Sequence, residues 1–167
     1  NERTYIERSE SLGFDVKSFI KKGLLKLKQV DPAELAPGEF AQYVRDSVEK
    51  CDAKVIVIDS LSGYIHAMPG ERSIILHMHE LLTYLGQMGV ATFIILVQHG
   101  LIGESLDAGP IDVSYIADTA ILLRYFEAGG EMRKAVSVLK KRSGPHEHWI
   151  RELNLACDSG IQVGPPL

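Results

Sequence analysis

Val55-Ile56-Val57-Ile58-Asp59-Ser60 is a run of four β-branched residues that ends in a carboxylate and a hydroxyl. In an open parallel sheet the carboxyl ends of the strands border the ligand crevice, so an Asp delivered there can hold a hydrated Mg²⁺ beside bound phosphates. These are the mechanics of a Walker B strand, with Asp59 and Ser60 as the nucleotide-side pair. The same pattern also arises where an Asp only caps the next helix. Val97-Gln98-His99 closes a second apolar run. Gln98 at such an edge can sense a phosphate or orient a water, or it can merely cap a loop. Lys140 and Arg142 stand two apart on a predicted strand, so they share a face while Lys141 takes the other. Two neighbouring cations repel unless an anion lies between them; the alternative is a solvated edge strand guarded by positive charge.

Other chemistry-bearing residues give weaker patterns. His77-x-His79-Glu80 resembles part of a zinc helix, but Thr83 occupies the place where the second metal-binding His is required, and positions i and i+2 diverge on a helix. His146 and His148 can chelate from an extended segment, yet no third ligand has matching spacing. Cys51 and Cys157 read as packing thiols, and there is no Gly-x-Ser-x-Gly elbow. Gly-x-x-x-x-Gly-Lys-Ser/Thr, the phosphate cradle, does not occur in the sequence.

The elements that must position these residues follow from periodicity. Residues 2–12 and 15–22 read as helices, stopped by Gly13 and followed by a period-two segment over 24–30 that predicts an edge strand. Pro37-Gly38-Glu39 opens a helix through about Lys50, with Phe40, Tyr43, Val44 and Val48 on one stripe. The run at 55–58 predicts a strand covered on both faces. Residues 71–88 carry Ile74, Ile75, Met78, Leu81, Leu82, Leu85 and Met88 on a broad helical stripe. Strands follow over 90–97, 117–126, 133–142 and 148–155, and the polar excursion 100–112 is the longest loop. Strands alternating with helices, then strands in succession, indicate an α/β fold with a parallel sheet to which antiparallel strands are added.

Composition agrees with one folded unit. The 167 residues are 46% hydrophobic and 24% charged, which excludes a disordered acidic tail. Eighteen basic against 22 acidic residues give a net charge of -4, so no bulk positive field draws in nucleic acid or an anionic membrane. No apolar stretch approaches the roughly 20 residues of a membrane-spanning helix. Two cysteines and no leader pattern lead to the expectation of a cytoplasmic protein.

Four stretches, in order along the chain, resemble the KaiC family of RecA-type ATPases. They are Ser11-Leu12-Gly13-Phe14-Asp15, then Val57 through Ser62, then Ile116-Ala117-Asp118-Thr119 through Tyr125, and finally Gly130-Glu131-Met132-Arg133 through Arg142, ending in Ile150-Arg151-Glu152. The resemblance implies a RecA-like three-layer fold with a mostly parallel central sheet and antiparallel strands in the C-terminal half, residues 1–167 forming a single partial domain. It places Asp59 on Mg²⁺ through water and has Lys140 and Arg142 reach the phosphates bound on a neighbouring subunit of a ring. It sets Ser114 and Tyr115 where the clock proteins carry adjacent Ser and Thr phosphoacceptors, the Tyr weakening that correspondence. It puts the Walker A loop and a catalytic Glu pair before Asn1, so the isolated residues are expected to bind ATP poorly and to hydrolyse none, while ATP and Mg²⁺ belong to the intact protein. A homo-oligomer, a signalling role and a partner such as a sensor kinase are implied with it. The alternatives are a non-catalytic interaction module of a signalling system and a RecA-type recombination ATPase, the latter disfavoured by the net acidity.

Overall fold

The computed structural model describes residues 1–31, 36–63, 73–97, 117–157 and 159–167. The chain forms two compact units.

The first unit opens with α1 (Glu2–Ser11), whose free N-terminal amides are met by Asn1: its Oδ1 accepts from the Thr4 N–H at 2.9 Å. Asp15 caps α2 (Val16–Lys21) in the same way, through the Ser18 N–H at 3.1 Å. The remainder is a four-stranded antiparallel sheet, β3 (Thr119–Ala128), β4 (Glu131–Lys141), β5 (Arg151–Ala156) and β6 (Gly160–Pro166), ordered as in the chain. Gly129 and Gly130 close the β3–β4 hairpin with φ of 63° and 78°, the two positive values a two-residue turn of matching twist requires. Glu127 Oε1 accepts from the Gly130 N–H at 2.8 Å and fixes that turn. Alternation along β3 is clear: Leu122 is buried while Ile121, Leu123 and Tyr125 are exposed on the opposite face.

The second unit contains α3 (Pro37–Glu49), β1 (Val55–Asp59), α4 (Ser73–Gln87) and β2 (Ala91–Ile95). β1 and β2 pair in parallel, Val55 opposite Ala91 and Asp59 opposite Ile95. Pro37 falls in the first turn of α3, where its missing N–H costs nothing, and Glu39 accepts from the Ala36 N–H at 3.1 Å. Of the stripe predicted for α4, Ile74, Met78, Leu81 and Leu85 are buried and pack with Val44 and Val48 of α3 and with Ile58, Leu61 and Val90, whereas Ile75 and Leu82 are half-buried and Met88, past the helix end, is exposed. Across the two helices Tyr84 Oη donates to Glu49 at 2.7 Å, and Arg45 lies 4.7 Å above the Tyr84 ring. The bond to Glu49 raises the Tyr84 pKa, because it favours the protonated phenol.

Several expectations are corrected. Residues 24–30 form no strand. The Leu24 and Leu25 N–H groups both bond back to the Phe19 carbonyl, so α2 claims the donors that a ladder would have used. Among the described residues β1 is not covered evenly on both faces: Ile58 is buried with residues of α3 and α4, whereas Val55 and Val57 are more than half exposed, as is Phe93 on β2. Cys51 and Cys157 are exposed free thiols and pack into no core. β6, rich in Gly and Pro, was not anticipated; as an edge strand it tolerates Pro165 and Pro166. The predicted loop 100–112 lies outside the described residues. Among the described residues no helix is long and apolar enough to cross a membrane.

Candidate functional site

Asp59 stands at the carboxyl end of β1, where the parallel pair terminates opposite Ile95. The residues on either side of it explain its exposure. Ile58 and Leu61 point into the core, at 9% and 1% exposed, and the alternation between them turns Asp59 out to solvent. The Asp59–Ser60 peptide is cis. Ser60 Oγ accepts from the Gly63 N–H at 3.3 Å, and Ser62 Oγ accepts from the Val97 N–H at 2.9 Å. The second bond ties the turn after β1 to the segment after β2, bringing together residues 35 apart in sequence. The edge thus presents a solvated carboxylate beside two hydroxyls, and its two strand ends are fastened to each other. Gln98, the next residue after Val97, lies outside the described residues, as does Ser114.

Lys140 and Arg142 stand in the other unit, at the open end of the β3–β4 hairpin. A bulge shifts the register there: Ile121 pairs with Val138 but Ala120 pairs with Lys140, which leaves Leu139 as the additional residue on β4. Lys140 is half-buried within the strand, and β4 ends at Lys141, one residue short of the predicted limit. Arg142, just past the end, is fixed to Asp118, just before β3. Its N–H donates to the Asp118 carbonyl at 2.7 Å and its Nη1 to the Asp118 carboxylate at 3.0 Å. Lys141 turns to the Pro145 carbonyl, 3.3 Å away. The sequence offered no signal for the Asp118 contact, nor for that of Ser62, because each joins residues far apart in the chain.

Farther along this unit, Arg151 donates to Glu147 through Nε at 2.8 Å and to the Gly164 carbonyl through Nη1 at 3.0 Å. The guanidinium beside Glu147 holds its carboxyl below the usual range. His146 and His148 rings lie 4.7 Å apart, and His77 and His79 share α4; among the described residues no group of three or more potential ligands forms a metal site.

A parallel strand pair packed on helices in one unit and a four-stranded antiparallel sheet in the other define an α/β protein. A family model described as the KaiC ATPase matches residues 1–167, and the chain belongs to that family, with its RecA-like α/β fold. It is similar to the circadian clock protein KaiC3 of Synechocystis sp., at 27% identity over 163 residues, 96% of this chain and 31% of that protein. It is similar also to the circadian clock oscillator protein KaiC of Nostoc sp., 27% identical over 150 residues, 89% of this chain and 28% of the relative. The KaiC of Parathermosynechococcus lividus is 29% identical over 157 residues, 93% of this chain and 28% of the relative. The chain therefore spans less than a third of the length of these curated relatives.

Proposed function

We propose that this chain is the C-terminal part of an ATP-binding and ATP-hydrolysing domain whose nucleotide sits between subunits of a homo-oligomeric ring, acting in cytoplasmic signal transduction or clock-like regulation. The observation that carries this reading is the exposed Asp59 at the carboxyl edge of a parallel pair, in a chain matched along its whole length by the KaiC ATPase family. In this reading Asp59 holds the waters of Mg²⁺, with Ser60 beside it, and a solvated carboxylate next to hydroxyls suits a hard cation that keeps several of its waters. The cation neutralises phosphate charge when bound. Lys140 and Arg142 extend from the neighbouring subunit to the γ-phosphate, where they stabilise the charge that develops during transfer, as an arginine finger does. Gln98 senses the phosphate, and Ser114 is the candidate phosphoacceptor. A sensor kinase is the partner proposed for the signalling role.

Two experiments test the reading. In the full-length protein, Asp59→Ala should abolish Mg²⁺-dependent ATP hydrolysis while leaving the melting temperature nearly unchanged, since an exposed carboxylate contributes little to stability. Undiminished hydrolysis in that variant would refute the assignment and favour the interaction module. Calorimetry on residues 1–167 alone should detect no micromolar affinity for Mg-ATP, because the sequence contains no phosphate cradle.

A further inference from the structure

Between β4 and β5 the chain runs through Pro145-His146-Glu147-His148-Trp149-Ile150, a stretch without helix, strand or turn. It brings the His146 and His148 rings together, 4.7 Å apart from centre to centre, with their planes inclined at 59°. We propose that His146 and His148 form a chelating pair for a divalent transition ion of the imidazole-preferring class, Cu²⁺ above all, with water completing the coordination. The inference stands apart from the reading of Asp59 and Arg142 given above.

Spacing is the first support. A metal–imidazole bond of about 2.0–2.1 Å puts the ring centre about 3.2 Å from the ion, so two rings at a cis angle of about 90–110° stand about 4.5–5.2 Å apart. The observed 4.7 Å falls inside that interval. Rotation about the histidine Cβ–Cγ bond is soft and leaves the ring centre nearly in place, so a ring nitrogen can turn to the ion without moving the chain. Availability is the second support. Among the described residues neither imidazole makes a hydrogen bond or an ion pair, and His148 is exposed while His146 is half-buried. The third is that the stretch is already braced. Lys141 Nζ donates to the Pro145 carbonyl at 3.3 Å, Arg151 Nε to the Glu147 carboxylate at 2.8 Å, and the Leu167 N–H to the Ile150 carbonyl at 2.9 Å. Residues before, between and after the two rings are therefore held, and less freedom is lost when an ion closes the chelate. Glu147, engaged by Arg151, is not needed as a ligand. Two imidazoles without a carboxylate suit Cu²⁺, Ni²⁺ or Zn²⁺ rather than Mg²⁺ or Ca²⁺.

The test is calorimetric titration of the full-length protein, free of nucleotide, with Cu²⁺, Ni²⁺, Zn²⁺ and Mg²⁺, in native form and as His146→Ala and His148→Ala. Joining two donors makes the second ligation intramolecular, so loss of either imidazole should weaken Cu²⁺ binding about 10²- to 10⁴-fold. Cu²⁺ should bind more tightly than Ni²⁺ or Zn²⁺. Titration with Mg²⁺ should not distinguish the native protein from the variants. Electron paramagnetic resonance of the native Cu²⁺ complex should show nitrogen couplings from two imidazoles, and from a single one in either variant. Equal Cu²⁺ affinity in the native protein and both variants overturns the proposal, and so does a single-imidazole signature in the native complex. A loss confined to one variant would mark a histidine binding alone and overturns the chelate as well. Should His146→Ala not fold, His148→Ala at its exposed position decides by itself, native Cu²⁺ affinity there overturning the proposal.

Discussion

Leu61→Ala probes what holds Asp59 at its edge. Leu61 is 1% exposed, two residues beyond the carboxylate, and belongs to the cluster formed by Ile58, Met78, Leu81 and Leu85. Truncation removes three buried carbons, worth about 2.4 kcal/mol at about 0.8 kcal/mol each. The cavity left behind adds to this, so the loss falls within the range of about 2–5 kcal/mol for buried Leu→Ala changes. With a urea slope near 2 kcal/mol per molar, a loss of about 3 kcal/mol moves the midpoint down by about 1.5 M. Val57→Ala is the internal comparison. It lies four positions away on the same segment but is 59% exposed, so its cost should stay within about 0.5 kcal/mol. Far-UV circular dichroism follows the helices α3 and α4 during urea unfolding. Equal midpoints for the two variants would refute the reasoning, because the assigned inward and outward faces of the segment would then be wrong.

Further consequences are checked as readily. Gly160→Ala should lower the thermal midpoint by several degrees: the position has φ +70°, costing about 1–2 kcal/mol for any Cβ, and that Cβ would come within 3.2 Å of the Leu12 carbonyl oxygen. The Glu147 carboxyl, held low by Arg151, contributes stability that is present above the ordinary carboxylate range and lost as pH falls through its depressed native value. Glu147→Gln should accordingly destabilise slightly at neutral pH and make no difference near pH 2, as read from urea midpoints at the two values.

The fold was legible where a local pattern carries a physical need. The stripe Ile74, Met78, Leu81, Leu85 fits a helix with one face inside, and that face is buried. Four β-branched residues before Asp59 announce a strand and place the acid at its end. What remained hidden depends on partners distant in sequence. Alternation over 24–30 looks like a strand, but pairing needs a neighbour, and Phe19 takes two of the donors instead. An apolar run such as Val55–Ile58 reveals that a strand exists without telling how many layers cover it, hence the exposed Val55 and Val57. The candidate residues are legible by type and spacing: Asp59 as a carboxylate at the end of a predicted strand, Lys140 and Arg142 as cations two apart on another. Their supports were not, since Ser62 reaches Val97 and Asp118 reaches Arg142 only after the chain has folded.

The central claim is that the Asp59 edge of one subunit and the cations of the next serve a single triphosphate. Mixing two full-length variants, Asp59→Ala and Arg142→Ala, each inactive alone, tests it most directly. In a ring built from head-to-tail contacts, random mixing at equal amounts leaves about a quarter of the interfaces with an intact Asp59 on one side and an intact Arg142 on the other. Recovery of about a quarter of the native ATP hydrolysis is predicted on mixing. A mixture no more active than its separate components would contradict a site shared between subunits.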